Sequence, residues 1–212
     1  IYIYYLFIFM ESLNLKTGDL ILFSSDNSGM FAVFDWLIKL FTSSNYNHIG
    51  MVLKDPIYID PKLKGYYLYE SSWEGTPDPA DGKIKLGVQI TPLEEAFKNN
   101  PGHAYLRRAK TPYGTFSAVN MLSIYRKTNA KPYDLNPIDW VEAFFRIDPT
   151  FQFGKDKRFF CSALVGYIYQ QLGILQENTD WSILRPSDFS LENDNRHIFF
   201  NEGFSLENKH SY

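Results

Sequence analysis

The sequence predicts an α+β fold in which an antiparallel sheet, or a small barrel, packs against helices. Segments with strand character are concentrated in the first half of the 212 residues, and the helical segments around them do not alternate strictly with strands. Hydrophobic residues make up 45% of the chain and charged residues 21%, which is typical of a globular protein with a core. We therefore predict a single domain over residues 11–212.

The individual elements follow from hydrophobic periodicity and from turn residues. A turn at 15–19 precedes the first strand, and Thr91 is the expected N-cap of the second helix. Strands are predicted at 20–23, 48–53, 66–70, 88–90, 103–109 and 198–200. Helices are predicted at 31–41, 92–98, 113–128 and 161–173, and residues 73–87 and 183–189 are expected to be loops.

Residues 1–10 are apolar and carry no charge. The stretch is shorter than the ~20 residues of a membrane-spanning helix, and it lacks the basic start and the cleavage site of a signal peptide. Met10 is followed by polar residues, so we interpret it as the natural start and the residues before it as a non-native extension. The rival interpretation is an added edge strand or an arm that touches a membrane.

Charge and cysteine usage exclude several kinds of site. The net charge of −3 gives no indication of a nucleic-acid partner. One cysteine excludes both an intrachain disulfide and a cysteine-based zinc cage, and the four histidines lack metal-ligand spacing. We expect no metal and no cofactor, and the cysteine usage together with the missing signal peptide favours an intracellular location.

The single cysteine, Cys161, begins a predicted helix. A thiol in the first turn faces the positive end of the helix dipole, which favours the thiolate, the nucleophilic form. The alternative is a small core side chain, because free cysteine is often buried. The order of the other polar residues favours the nucleophile.

A base and an orienting group are available on two predicted strands. His48 begins one strand and Glu70 ends another, so antiparallel pairing would bring Glu70 to the ring of His48. Glu74 and Asp78 are rival carboxylates. The Cys161 backbone N–H would stabilise an oxyanion, and Tyr46 is the candidate for a second donor.

Three further residues are candidates for a substrate groove: Trp73, Tyr133 and Asp188. Trp73 lies in the predicted loop after the Glu70 strand, and Tyr133 precedes the cysteine helix. Core packing or loop anchoring is the alternative role for such side chains.

Five segments, in this order, resemble the permuted branch of the NlpC/P60 superfamily: 17–23, 46–52, 69–71, 131–134 and 160–165. Within that branch they are similar to YiiX-like proteins and to relatives encoded by poxviruses and other large DNA viruses. The resemblance implies a papain-like fold with the nucleophile at a helix N-terminus, and it assigns the catalytic roles to Cys161, His48 and Glu70. The loop at 73–87 and the aromatic stretch at 138–153 have no counterpart in the pattern.

Three functions are compatible with these residues. The first is a thiol hydrolase that cleaves peptide, isopeptide or peptidoglycan-like amide bonds through a thioester. The second uses the same triad for lipid acyl hydrolysis or acyl transfer, with the abundant aromatic side chains seating an acyl chain. The third is a non-enzymatic binding or structural module, such as a component of a virus particle. A viral origin would place the protein in the host cytoplasm or the virion.

Overall fold

The computed structural model describes residues 13–24, 46–100, 102–133, 159–190 and 197–207, and the backbone of residues 210–211. Three predicted features lie outside the described residues: the extension at 1–10, the helix at 31–41 and the aromatic stretch at 138–153. The domain boundary at residue 11 therefore stays a prediction.

Six strands form an antiparallel sheet with the order β4-β3-β2-β1-β5-β8. In the part of the chain that the structure describes, this sheet has two edges, so the open sheet and not the small barrel is found. A separate pair consists of β6 and β7. The strands are β1 (Leu20–Ser24), β2 (His48–Lys54), β3 (Tyr66–Trp73), β4 (Leu86–Pro92), β5 (His103–Arg107), β6 (Ala109–Lys110), β7 (Ser205–Leu206) and β8 (His210–Ser211).

In the described ranges, four α-helices accompany the strands, and the predicted α+β class is confirmed. A 3-10 turn covers Trp181–Ile183. Across the described residues, no helix combines the length and the apolar character needed to cross a membrane. The helices are α1 (Leu93–Asn99), α2 (Ala118–Thr128), α3 (Cys161–Gln171) and α4 (Pro186–Ser190).

The central strand β1 is buried on both faces. Leu20 and Leu22 belong to the hydrophobic cluster that contains α3, whereas Ile21 and Phe23 belong to the cluster that contains α1. Successive side chains of a strand point to opposite faces, so an uninterrupted apolar run fits a strand covered on both sides. The sheet therefore lies between α1 and α3.

Helix α3 is the most deeply buried helix of the described part, with Leu164, Val165 and Ile168 fully enclosed. It packs against the sheet through the cluster that includes Met51. The helix ends where Gly173 adopts a positive φ of 68°, a conformation that glycine tolerates without strain. The predicted helix from Cys161 to about Gly173 is thus confirmed.

Two predicted helix starts differ from the structure. Strand β4 continues through Pro92, which is paired with Tyr67, so α1 begins at Leu93 and Thr91 remains a strand residue. The predicted helix at 113–128 begins only at Ala118, because Ser117 caps it by accepting a hydrogen bond from a backbone N–H.

The C-terminal half contains more helix and less strand than predicted. The predicted loop at 183–189 overlaps the 3-10 turn and α4. Asp180 accepts a hydrogen bond from the Ser182 N–H in the turn, and Asp188 accepts one from the Arg185 N–H just before α4. The predicted strand at 198–200 is reduced to one bridge between Leu175 and Phe200. The predicted strand at 103–109 is divided between β5 and β6, which belong to different sheets.

Candidate active site

His48 and Glu70 form a buried pair across β2 and β3. The two strands are antiparallel, with Val52 opposite Leu68, so the start of β2 lies beside the end of β3. His48 Nε2 and Glu70 Oε2 are 2.5 Å apart, and their side chains are 12% and 0% exposed. The pairing that the sequence predicts is therefore present in the structure.

Cys161 is the second partner of the imidazole ring. It is the first residue of α3, it is buried, and its side chain is hydrogen-bonded to His48. Since Nε2 of His48 is bonded to Glu70, the ring nitrogen available to the thiol is Nδ1. The ring thus joins a thiol and a carboxylate, which is the arrangement of a nucleophile, a base and an orienting group.

The pKa of His48 is raised well above its usual 6.5. Burial alone would lower this pKa, because it disfavours the charged ring. The hydrogen bonds to Cys161 and Glu70, and the negative charges of both groups, outweigh burial. The imidazolium is consequently the favoured form of His48 at neutral pH.

The backbone before Cys161 is fixed by the sheet. Ser71, in β3, donates a hydrogen bond of 2.6 Å from Oγ to the carbonyl oxygen of Phe159, and both residues are buried. The Phe159 N–H in turn donates to the Pro132 carbonyl. This anchoring sets the position at which α3 begins, and with it the position of Cys161.

The start of α3 also presents backbone donors. Its N-cap is Phe160, and within the described residues no side chain caps this end by a hydrogen bond. Backbone N–H groups in the first turn of a helix have no acceptor inside the helix. The Cys161 N–H can therefore serve as the oxyanion donor that the sequence suggested.

Tight packing holds His48 in place. Its ring stacks on Phe23 with 5.8 Å between the centroids and an interplanar angle of 26°. Gly50, two residues along β2, leaves room for Leu68, since a Cβ at position 50 would lie 2.5 Å from Leu68 Cγ. The close approach at Gly50 is thus made by a side chain of the neighbouring strand.

Of the three candidate carboxylates, Glu70 is the one that bonds His48. Asp78 instead organises its own loop, where it accepts hydrogen bonds from the backbone N–H groups of Ala80 and Ile90 and from Lys85 Nζ at 2.6 Å. Asp78 is 1% exposed. The predicted loop at 73–87 covers only residues 74–85 in the structure, and Asp78 anchors this loop to β4.

Glu74 lies close enough to the pair to interact with both partners electrostatically. Its pKa is raised from 4.5 to about 7, chiefly because burial disfavours the charged form and also because of the negative charge of Glu70. Hydrogen bonds from Asn99 and Ser72 and the charge of His48 act in the opposite direction. A second carboxyl group therefore stands beside the His48–Glu70 pair.

The auxiliary candidates lie in different environments, which leave their roles as predictions. Tyr46 is buried, and its ring packs edge-on against Tyr105. Trp73 is 39% exposed at the end of β3. Tyr133 donates its backbone N–H to the Leu86 carbonyl.

Asp188 is 2% exposed, and its Oδ2 accepts a hydrogen bond from the Arg185 N–H at the start of α4. This contact is a structural one in the turn before α4. No cluster of three or more His, Cys, Asp or Glu side chains in the described part of the chain could hold a metal ion.

Sequence reasoning missed the contribution of Ser71. The available signal was its place in β3, two residues after Tyr69 and therefore on the same face of the sheet, the face that contacts α3. The sequence does not show that the carbonyl of Phe159 lies against that face, because the two residues are 88 positions apart in the chain.

Comparison with solved structures gives a likeness to a known protein. No protein-family model matches the chain, and no curated protein does. The structure is similar to the crystal structure of the metalloprotein YiiX from Escherichia coli O157:H7, with a TM-score of 0.48 and 19% sequence identity over 92% of this chain and 97% of that one. YiiX-like proteins are also the group that the sequence resembles, and we infer no activity or ligand from the structural likeness.

Proposed function

We propose that the protein is a cysteine hydrolase that cleaves amide bonds through a thioester intermediate. The observation that carries the proposal is the position of the His48 ring, which is hydrogen-bonded to both Cys161 and Glu70. The raised pKa of His48 supports an ion pair of imidazolium and thiolate. We propose peptides, isopeptides or peptidoglycan-like amides as the substrates.

In the first half of the reaction, Cys161 Sγ attacks the carbonyl carbon and a C–S bond forms. The Cys161 N–H stabilises the oxyanion. His48 transfers its proton to the amide nitrogen, the C–N bond breaks, and the amine leaves. Glu70 holds the ring in one orientation and stabilises its charged form.

In the second half, water attacks the thioester. His48 accepts a proton from the water, the C–S bond breaks, and the acid is released. The thiolate of Cys161 and the imidazolium of His48 are then restored. No external oxidant or co-reactant is required, because each proton taken from one reactant is returned to another.

The reactivity of Cys161 tests this proposal directly. An ordinary thiol with a pKa of ~8.5 is only about 1% ionised at about pH 6.5. An ion pair should make alkylation by iodoacetamide up to about 100-fold faster at that pH. Replacing His48 with Ala should remove this increase in the alkylation rate. The matched control is His103→Ala, which removes an exposed histidine from β5.

Substrate screens decide between the functions. Cleavage of peptide or peptidoglycan fragments that is lost in Cys161→Ala supports the amide hydrolase. Release of fatty acid from lipids, with peptides left intact, would assign lipid acyl chemistry to the same residues. Slow alkylation that is identical in wild type and His48→Ala would refute both enzymes and leave the binding module.

A further inference from the structure

Three polar residues occupy alternate positions at the end of β3 and just beyond it: Glu70, Ser72 and Glu74. Alternate residues of a strand lie on the same side, so Glu70 and Ser72 share one side of β3, and Glu74 continues this row one residue after the strand ends. Ser72 is hydrogen-bonded to Glu74 and also accepts a hydrogen bond of 2.8 Å from Gln89. Ser72 therefore links Glu74 with Gln89 of β4.

The far end of the row is held by α1. Asn99 Nδ2 donates a hydrogen bond of 2.7 Å to Glu74 Oε2. This contact fixes a carboxyl group that is only partly exposed. Glu74 is thus held in place by two partners, Ser72 at the end of β3 and Asn99 at the end of α1.

The near end of the row contains an incomplete hydrogen-bond set. Glu70 Oε1 is buried, and no residue in the described ranges makes a hydrogen bond to it. The charge of Glu70 is therefore compensated on the His48 side alone, which makes the pair sensitive to other charges nearby. The ionisable groups that act on Glu74 are Glu70 and His48. The groups that act most strongly on His48 are Cys161 and Glu70.

We propose that Glu74 is a positioning residue of the candidate site, which acts through Glu70 and whose protonation sets how firmly the imidazolium of His48 is held. This inference rests on the proposed function. A protonated Glu74 adds no charge beside Glu70 and His48. An ionised Glu74 adds a second negative charge, which favours the imidazolium of His48.

The pH range of this control follows from the environment of Glu74. Its pKa of about 7 means that the group changes charge at neutral pH. As the pH rises through 7, the added charge should keep His48 protonated to a higher pH. The thiolate–imidazolium pair should therefore persist to a higher pH than it would with Glu70 as the only nearby carboxylate.

The test is an NMR titration of the His48 ring in wild type and in Glu74→Gln. In wild type, the ring signals should show a step with a midpoint near pH 7, caused by Glu74, before the ring itself loses its proton. In Glu74→Gln the step should disappear, and the ring should lose its proton at a lower pH. Glu95→Gln is the matched control, since Glu95 is a carboxyl group of α1 that bonds Thr76.

A second variant gives a shift in a defined direction. Asn99→Ala removes a hydrogen bond that lowers the pKa of Glu74, so the step should move to higher pH. Asn99 is exposed, so this variant should fold normally. A His48 titration that is the same in wild type, Glu74→Gln and Asn99→Ala would overturn the proposal.

The titration involves no substrate, so it fails or succeeds independently of the hydrolase proposal. Turnover that is lost in Cys161→Ala, combined with unchanged His48 titrations, would remove only the role of Glu74. A Glu74-dependent titration in a protein whose Cys161 reacts slowly would remove only the hydrolase.

Discussion

Replacing Glu70 with Gln should destabilise the protein, and more so at acidic than at alkaline pH. Glu70 is fully buried and lies 2.5 Å from His48 Nε2. Removing one partner of a buried ion pair costs about 3–5 kcal/mol when the other charge persists. His48 can instead lose its proton, so we expect a loss close to that of a charge-assisted hydrogen bond, about 2–3 kcal/mol at about pH 5.5.

The pH dependence has a defined sign. The pKa of His48 is raised in the folded protein, so its contribution to stability is fully present below 6.5 and is lost as the pH rises through the raised pKa. Above that pKa the ring is neutral, and the amide oxygen introduced by Glu70→Gln can still accept its hydrogen bond, so we expect a loss of about 1 kcal/mol. Urea unfolding at a series of pH values from about 5.5 to about 9.5 measures the difference in the free energy of unfolding.

A control and a refuting result complete this experiment. Glu95→Gln should change the free energy of unfolding by less than about 0.5 kcal/mol at every pH. The same comparison in a Cys161→Ala background separates the contribution of Glu70 from that of the thiol. If the loss in Glu70→Gln did not change with pH, the charged pair would not be the source of the stability, and the reasoning would be wrong.

Three further changes test the surroundings of the pair. Ser71→Ala removes the buried hydroxyl that donates a hydrogen bond to the Phe159 carbonyl. We expect the free energy of unfolding in urea to fall by about 1–3 kcal/mol and the single cysteine to be alkylated more slowly. Normal stability would show that this hydrogen bond is not needed. Gly50→Ala should lower the free energy of unfolding by about 1–3 kcal/mol, because the added methyl group crowds Leu68. In a double-mutant cycle, Gly50→Ala combined with Leu68→Ala should cost less than the sum of the two single changes, and strict additivity would contradict the contact. Burial raises the pKa of Glu74, so wild type loses stability when this group ionises. Glu74→Gln should therefore become more stable relative to wild type as the pH rises from 4.5 through 7, by at most about 3 kcal/mol. A difference in thermal unfolding that stays constant across this range would count against the burial of the Glu74 charge.

The main features of the sheet could be predicted from local sequence. Apolar runs at 20–23 and 48–53 indicate strands, and the antiparallel pairing of β2 with β3 brings Glu70 to His48, as expected. Local sequence favoured Glu70 but left Glu74 and Asp78 as rivals, because the choice depends on the register of the strands. Asp78 is directed into its own loop by Lys85 and the backbone of β4, a tertiary contact without a local signal.

Helix boundaries show the same division between local and tertiary information. The start of α3 at Cys161 follows from its apolar periodicity, whereas the start of α1 was misplaced because strand pairing extends β4 through Pro92. The helical turns near Asp180 and Asp188 depend on short side chains that bond nearby backbone N–H groups. Such residues are equally common in loops, so composition alone favoured a loop there.

The hydrogen bonds that hold α3 have a consequence for how the molecule is assembled. Ser71 reaches Phe159 across 88 residues of chain, and the Tyr169 hydroxyl reaches the Gly18 carbonyl across 151. The His48–Glu70 pair spans only 22 residues, so a hairpin of β2 and β3 can bring it together early in folding. Docking of α3 requires closure of much longer loops and should come later. An enhanced reactivity of Cys161 would then appear only in the last stage of folding, which makes the thiol a reporter of the completed native state.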